Sequence, residues 1–252
     1  MRPLIRPRPL RFRKFYMNIV YCFDSNYFEI TLNSAKSVQK YNKKAKFYFF
    51  CNYELPKYQI EQLKELKQVK FINFDENELN EFHKGLLGYA HVSKACFIRL
   101  LIPKYLPKLK RALYLDGDTI CKGDLSEFYN CDFEDNYIVG VQGIDFSRVQ
   151  ANELGIDFYI NSGVLLFNIP KMNKEKYFNQ IKRSWRYSIG LPRVYSADET
   201  IINFVFHKKI KLINEKYNYC YNRRYRGREV APENVIIWHV TGKNKENLKK
   251  LC

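Results

Sequence analysis

Between residues 17 and 115, short apolar runs and amphipathic stretches take turns, and this alternation leaves the chain few architectures. The runs "MNIVYCF" (17–23), "KFYFFC" (46–51), "VKFINF" (69–74) and 112–115 predict strands. The stretch 26–41 carries Phe28, Leu32, Ala35 and Val38 on one stripe and predicts a helix; so do 56–66, with proline at its start, and 90–102, closing at Pro103. A β-α-β-α-β order implies an α/β fold, Rossmann-like, with a mostly parallel sheet, right-handed crossovers and helices on both faces. Ligands of such sheets sit at the carboxyl ends of the strands. Further on, 137–142, 159–168 and 235–240 predict strands, and 171–185 and 198–206 predict helices. No internal repeat or linker cuts the chain, so a single domain over 17–252 with one small appended region is expected. Neither G-x-G-x-x-G nor G-x-x-x-x-G-K-[ST] occurs, so a dinucleotide fingerprint and a P-loop are not indicated.

The segment "RALYLDGDTI" (111–120) places Asp116, Gly117 and Asp118 directly after a buried-type run. In extended chain, residues i and i+2 point the same way, so both carboxylates would leave the strand end together. Their repulsion is relieved by a shared cation or proton. The plainer reading is a polar Asp-Gly turn. His239 ends the last apolar run; alone it reads as a strand-end histidine, but with Asp116 and Asp118 it completes an O,O,N set suited to Mn²⁺, or to Mg²⁺. Gly242 lets backbone approach a ligand closely, and Lys243 and Lys245 add positive charge beside it. Asp24, Asn26 and Tyr27 follow the first strand and could hydrogen-bond and stack a nucleobase. The plainer reading is an N-cap, Asp or Ser ahead of a helix, and both hold if Ser25 or Asn26 caps while Asp24 faces a ligand.

Composition bounds the partners. The 252 residues are 46% hydrophobic and 16% aromatic, which argues against disorder, and the formal charge is +17. That charge favours polyanionic partners, namely nucleic acid, anionic membrane, or phosphorylated and acidic glycans, although a Lys-, Asn- and Tyr-rich composition also follows from genome base bias. Aromatic residues are not interleaved with Lys and Arg in a recognised motif, so nucleic acid is not the expected partner. Seven cysteines, odd in number and without a C-x-x-C pair, suit a reducing, cytoplasmic compartment. No apolar run approaches the ~18 residues of a spanning helix. Residues 1–16 carry five Arg, one Lys and three Pro with no acid, which predicts a disordered arm ahead of Met17. The arm would be a tether to an anionic membrane or an extension with no fold of its own.

Four blocks in order carry a family resemblance. "CFIRLLIPKYLPKLKRALYLDGDTICKGDLSEFY" (96–129) resembles the central Asp-x-Asp block of glycosyltransferase family 8, the bacterial lipopolysaccharide galactosyl- and glucosyltransferases and their glycogenin relatives. "YINSGVLLFNIPKM" (159–172) is similar to that family's Asn-Ser-Gly-Val block, "NIVYCFDSNYF" (18–28) to its opening strand, and "HVTGKNK" (239–245) to its His-x-x-Gly-x-x-Lys ending. The resemblance implies a GT-A fold with a small acceptor-side region, and a hexosyltransferase that moves glucose or galactose from a UDP-sugar, with retention of configuration, to a glycan acceptor. Lipopolysaccharide biosynthesis is the implied setting. The acceptor would then be lipid-linked, and the enzyme peripheral on the inner face of a membrane. By matching position, Asp24, Asn26 and Tyr27 would hold uridine, and Asp116, Asp118 and His239 would bind Mn²⁺, with Gly117 between the two acids. Gly242 and Lys245 would contact phosphate. Arg99, Asn161, Ser162 and Asp198 would grip the donor sugar, with Asp198, Glu199 and Asn161 nearest the chemistry.

The sequence departs from the family pattern at Asp198-Glu199-Thr200, where Asp-Gln-Asp is usual, and at Glu246-Asn247, where Pro-Trp often stands. Plainer readings stay open for individual residues. Arg99 could be a surface charge, Asn161-Ser162-Gly163 a β-bulge, and Asp198 and Glu199 acids of a first helical turn. Two other classes also stand. A haloacid-dehalogenase-type phosphatase shares a strand followed by Asp-x-Asp, but usually has that strand first and Thr or Val where Ile120 stands. A non-enzymatic basic module would use the charge alone.

Overall fold

Strand β1 (Met17–Phe23) is buried along both faces, which requires neighbours on either side and layers above and below. The computed structural model describes residues 16–84, 94–144, 146–188, 197–221 and 233–242. The further strands are β2 (Ala45–Cys51), β3 (Val69–Ile72), β4 (Arg111–Leu115), β5 (Thr119–Cys121), β6 (Ile138–Gln142), β7 (Ile160–Asn168), β8 (Ile210–Leu212), β9 (Tyr219–Cys220) and β10 (Ile237–His239). The helices are α1 (Phe28–Tyr41), α2 (Lys57–Lys64), α3 (Asn77–Lys84), α4 (Ala95–Ile98), α5 (Ile102–Tyr105), α6 (Ser126–Asn130), α7 (Phe146–Leu154), α8 (Ile169–Lys174), α9 (Tyr177–Ser188) and α10 (Ala197–Phe206). The main sheet runs β3-β2-β1-β4-β7-β6-β8, and β5, β10 and β9 form a second, three-stranded sheet. Within the main sheet only β7 runs against its neighbours, so the sheet is mostly parallel, as expected.

Alternation along the central strands splits the core in two. Leu113 and Leu115 of β4 join Ile19, Tyr21 and Phe23 of β1 on the face covered by α1, α2 and α6. Ala112 and Tyr114 point the other way, into a cluster with residues of α3, α4, α5, α8, α9 and α10. Helix α1 shows why burial outweighs propensity here. Thr31, Asn33, Ser34 and Ser37 are each poorer helix formers than Ala by no more than about 0.7 kcal/mol. Phe28, Leu32 and Val38 are buried on its stripe, each contributing roughly 1.5–3 kcal/mol.

Three expected elements differ. The helix expected to stop at Pro103 continues through it: α4, a 3-10 turn at Arg99–Leu101 and α5 follow without a break, and Pro103 lies in the first turn of α5, where its missing N–H costs nothing. The start expected at residue 90 lies outside the described residues, and the helix is seen from Ala95. The helix expected over 171–185 is two helices, because Lys176 adopts φ 52° and ends α8 before α9 begins. The late strand is only Ile237–His239 and belongs to the second sheet, pairing His239 with Thr119 and Trp238 with Tyr219. That register brings His239 beside the Asp-Gly-Asp segment. The arm expected over residues 1–16 lies, apart from Tyr16, outside the described residues. No helix of the described residues is long and apolar enough to cross a membrane.

Candidate active site

Asp116, Gly117 and Asp118 form a turn, not extended chain. Thr119 donates from its backbone N–H and its hydroxyl to Asp116 O, at 3.2 and 2.8 Å. The carboxylates therefore converge through the turn and not through strand alternation, so the segment is the polar turn, in a shape compatible with a shared cation. Gly117 is required there, because a Cβ would lie 2.4 Å from Thr31 Oγ1 on α1. The turn is fastened on both sides: Asp116 N–H donates to Gly163 O at 2.7 Å, and Val240 N–H donates to Asp118 O at 2.9 Å.

His239 closes the trio. Its Nε2 lies 3.2 Å from Asp118 Oδ1 and 3.7 Å from Asp116 Oδ2. One ligand atom from each of the three residues falls within a 4.8 Å cluster. The imidazole is 3% exposed; burial alone would depress its pKa, but the charge and hydrogen bond of Asp118 outweigh burial and hold it well above the ordinary value. Two carboxylates and one imidazole, fixed by a turn and a strand, fit a hard divalent cation such as Mn²⁺ or Mg²⁺. Gly163 makes room for this cluster. A Cβ at that position would lie 2.2 Å from His239 Cε1 and 2.8 Å from Asp116 Oδ2.

Arg99 is buried at 7% exposure and not a surface charge. Its Nη2 lies 3.1 Å from Asp116 Oδ1 and its Nε 3.0 Å from Asp198 Oδ2. Its Nη1 donates to Ser162 O and Oγ at 2.8 and 3.0 Å, and the guanidinium stacks 4.7 Å from the centre of the Tyr114 ring. Burial opposes its charge, yet Asp116 and Asp198 raise its pKa further. Tyr114 also donates its hydroxyl to Asp116 Oδ1.

The Asn161-Ser162-Gly163 segment is a bulge, and that is how it reaches the site. Gly140 pairs with Leu165 and Gln142 with Ile160, so residues 161–164 of β7 stand opposite Val141 alone. The bulged backbone presents Ser162 N–H to Glu199 Oε2 at 2.8 Å, and Asn161 Nδ2 donates to the same oxygen at 2.9 Å. Ser162 Oγ donates to Asp198 Oδ2 at 3.2 Å. Asp198 and Glu199 do occupy the first turn of α10, after Ala197 at φ 44°, a strained position for a residue with a Cβ. Both readings of these acids hold, since the turn aims them at the bulge. Burial pushes Glu199 up to about 7, against the pull of the Ser162 N–H, and burial also raises Asp198 despite Arg99.

The remaining expected residues divide. Asp24 and Tyr27 line a cavity of about 230 Å³ together with Cys96, Arg99, Asp116 and Asp118. Asp24 is itself the cap of the following 3-10 turn, accepting Asn26 N–H at 3.0 Å, so neither Ser25 nor Asn26 is the capping residue. Asn26 is exposed and does not line the cavity. Gly242 follows β10 at φ 78°, a conformation that favours glycine, while Lys243 and Lys245 lie outside the described residues. Tyr114 and Asn218 were not expected. The alternation of β4 could have placed Tyr114 on the Arg99 face; no sequence pattern points to Asn218.

The galactosyltransferase LgtC, solved with donor and acceptor sugar analogs, superposes with a TM-score of 0.76 at 21% identity, over 93% of this chain and 95% of that one. Streptococcus pneumoniae glycosyltransferase GlyE gives 0.68 at 22% identity, over 91% and 55%. The fold is thus the GT-A type. The chain belongs to glycosyl transferase family 8, whose profile matches residues 18–246. Lipopolysaccharide 1,2-glucosyltransferase of Escherichia coli is 32% identical over 168 residues, 59% of this chain and 48% of that protein. Streptococcus pneumoniae GlyB is 27% identical over 217 residues, 80% and 48%. The chain therefore spans about half the length of the curated relatives it matches.

Replacing Gly163 with Ala tests the cradle. His239 is too buried to swing away, so Gly163→Ala is expected to lower stability by roughly 1–3 kcal/mol. In Gly123→Ala the nearest atom is an ordinary 3.5 Å away, and stability shifts by less than about 1 kcal/mol. Urea midpoints read the difference; equal midpoints for the two variants contradict the close packing.

Proposed function

We propose that the protein is a retaining hexosyltransferase that moves glucose or galactose from a UDP-sugar to a saccharide acceptor. One observation carries this reading: Asp116 and Asp118, which cluster with His239, line the same cavity as Asp24 and Tyr27, and Arg99 links that cluster directly to Asp198 and Ser162. A nucleotide, a diphosphate and a sugar need these three environments side by side. Asp24 and Tyr27 take the uridine, with Asn26 just outside, and Gly242 and Lys245 take the phosphates. Asp116, Asp118 and His239 hold Mn²⁺, or Mg²⁺, which when bound supplies charge neutralisation at the diphosphate leaving group. The family and the lipopolysaccharide glucosyltransferase relative support a lipid-linked glycan acceptor and a cytoplasmic protein at an anionic membrane face, where the basic arm over 1–16 would contribute. The phosphatase reading loses its ground, because the Asp-x-Asp strand is fourth in the chain and the family is a different one. A purely basic binding module leaves the buried acidic cluster without a role.

The chain's own residues suggest how configuration is retained. Asn161 and Asp198 hold the sugar, and Arg99 fixes Asp198. Glu199 already accepts two hydrogen bonds at Oε2, from Ser162 N–H and Asn161 Nδ2, which tie up the lone pairs a nucleophile would use. We therefore assign it to stabilising positive charge on the sugar. The bond from the anomeric carbon to phosphate breaks, the acceptor oxygen bonds from the same face, and its proton passes to the leaving phosphate.

Two outcomes follow. UDP raises the melting temperature only when Mn²⁺ or a similar cation is present; at 100 times its dissociation constant a ligand stabilises by about 2.7 kcal/mol. Equal stabilisation in EDTA contradicts the metal site. Glu199→Gln keeps transfer within about 10-fold of wild type, or about 1.4 kcal/mol, while Asp198→Asn costs more. Loss of several orders of magnitude in Glu199→Gln, together with a sugar adduct on Glu199 by mass spectrometry, makes it the nucleophile instead.

A further inference from the structure

Asn218 is 1% exposed, does not line the cavity, and bridges the two halves of the site. Its Nδ2 donates to Asn161 Oδ1 at 2.8 Å, and its Oδ1 lies 2.9 Å from His239 Nδ1. We infer that Asn218 is a positioning residue that fixes which ring nitrogen of His239 meets the cation, and that it takes this orientation from Glu199 and Asn161. The inference rests on the metal reading proposed above.

The logic is one of donors and acceptors passed along a chain. Glu199 Oε2 accepts Ser162 N–H, so it is an acceptor toward Asn161 as well, and Asn161 must turn Nδ2 to it. Asn161 Oδ1 is then committed to donors, and Gly163 N–H reaches it at 3.1 Å. Asn218 must therefore offer Nδ2 to Asn161, which leaves its own Oδ1 for His239. An acceptor at 2.9 Å requires the proton on Nδ1. With Nδ1 kept protonated, a cation that displaces the Nε2 proton meets its lone pair there, on the nitrogen that faces Asp116 and Asp118. Outer-shell groups that hold a ligating histidine in this way set its tautomer and ring orientation.

The backbone gives the amide little freedom. Asn218 N–H donates to Glu215 O at 3.0 Å at the end of a 3-10 turn over Glu215–Tyr217. Tyr217 beside it is fully buried against the Phe128 ring, at 5.0 Å between centroids. On the other side β9 pairs with β10, His239 opposite Cys220. The bridge therefore runs between rigid elements, and it links the cation to the bulge that holds the sugar.

Two substitutions separate its two bonds. Asn218→Leu, close in size, removes both and is expected to weaken Mn²⁺ binding by roughly 10- to 100-fold. Asn218→Asp keeps an acceptor for His239 Nδ1–H but turns an acceptor toward Asn161. It should bind Mn²⁺ at or above wild-type affinity while kcat for UDP-sugar hydrolysis falls. Binding is read by electron paramagnetic resonance of free Mn²⁺, with melting curves reporting the fold. Folded Asn218→Leu with wild-type affinity overturns the inference. If the leucine variant does not fold, the aspartate variant decides, and a fall in both its affinity and its kcat overturns the inference equally. Wild-type protein that binds no Mn²⁺ overturns the metal reading, and this inference with it.

Discussion

The Arg99 guanidinium, held between Asp116 and Asp198, is the interaction on which the rest of the site depends. Three buried or half-buried ions stand together, and removing one partner from such a group costs about 3–5 kcal/mol because a charge is left uncompensated. The arrangement survives because nearly every polar atom around it is committed. Ser162 accepts from Arg99 through both its carbonyl and its hydroxyl, Cys96 O takes a further Nε–H bond, and Tyr114 covers the face of the cation. Without Arg99, Asp116 and Asp198 would repel each other and the Asp116–Asp118–His239 cluster would lose its link to Asp198 and Ser162.

From that ion group the polar contacts close into a ring. Ser162 N–H leads to Glu199, Glu199 to Asn161, Asn161 to Asn218, Asn218 to His239, and His239 back to Asp116 and Asp118. The members come from five places: the turn after β4, which carries Asp116 and Asp118, the bulge in β7, which carries Asn161 and Ser162, the first turn of α10, the 3-10 turn before β9, and the end of β10. The two sheets share the load, the larger presenting Asp116 and the bulge, the smaller presenting His239 and Asn218. A shift of one strand in the smaller sheet would therefore reach both the Asp116–Asp118–His239 cluster and the bulge beside Asp198 and Glu199.

Much of this was legible in the sequence, and the limits have physical causes. Strands β1, β2, β4 and β7 are mostly apolar runs that contrast with their neighbouring segments, so their positions were plain to within a residue. Asp116, Asp118 and His239 were recognisable only as a set, because each alone has a plainer use and together they make an O,O,N group. The small sheet was not legible, because β5 and β9 have three and two residues and no periodicity to detect. The passage of helix through Pro103 and the break at Lys176 depend on first-turn placement and on one positive φ, which tertiary packing decides. Asn218 acts only through what it touches, and its partners stand 57 and 21 residues away.

The most direct test is anomalous diffraction from crystals grown with Mn²⁺ and UDP. The account predicts a manganese peak bonded by Asp116, Asp118, His239 Nε2 and oxygens of the UDP diphosphate, with uracil against Asp24 and Tyr27. A peak elsewhere, or UDP bound outside that cavity, contradicts it.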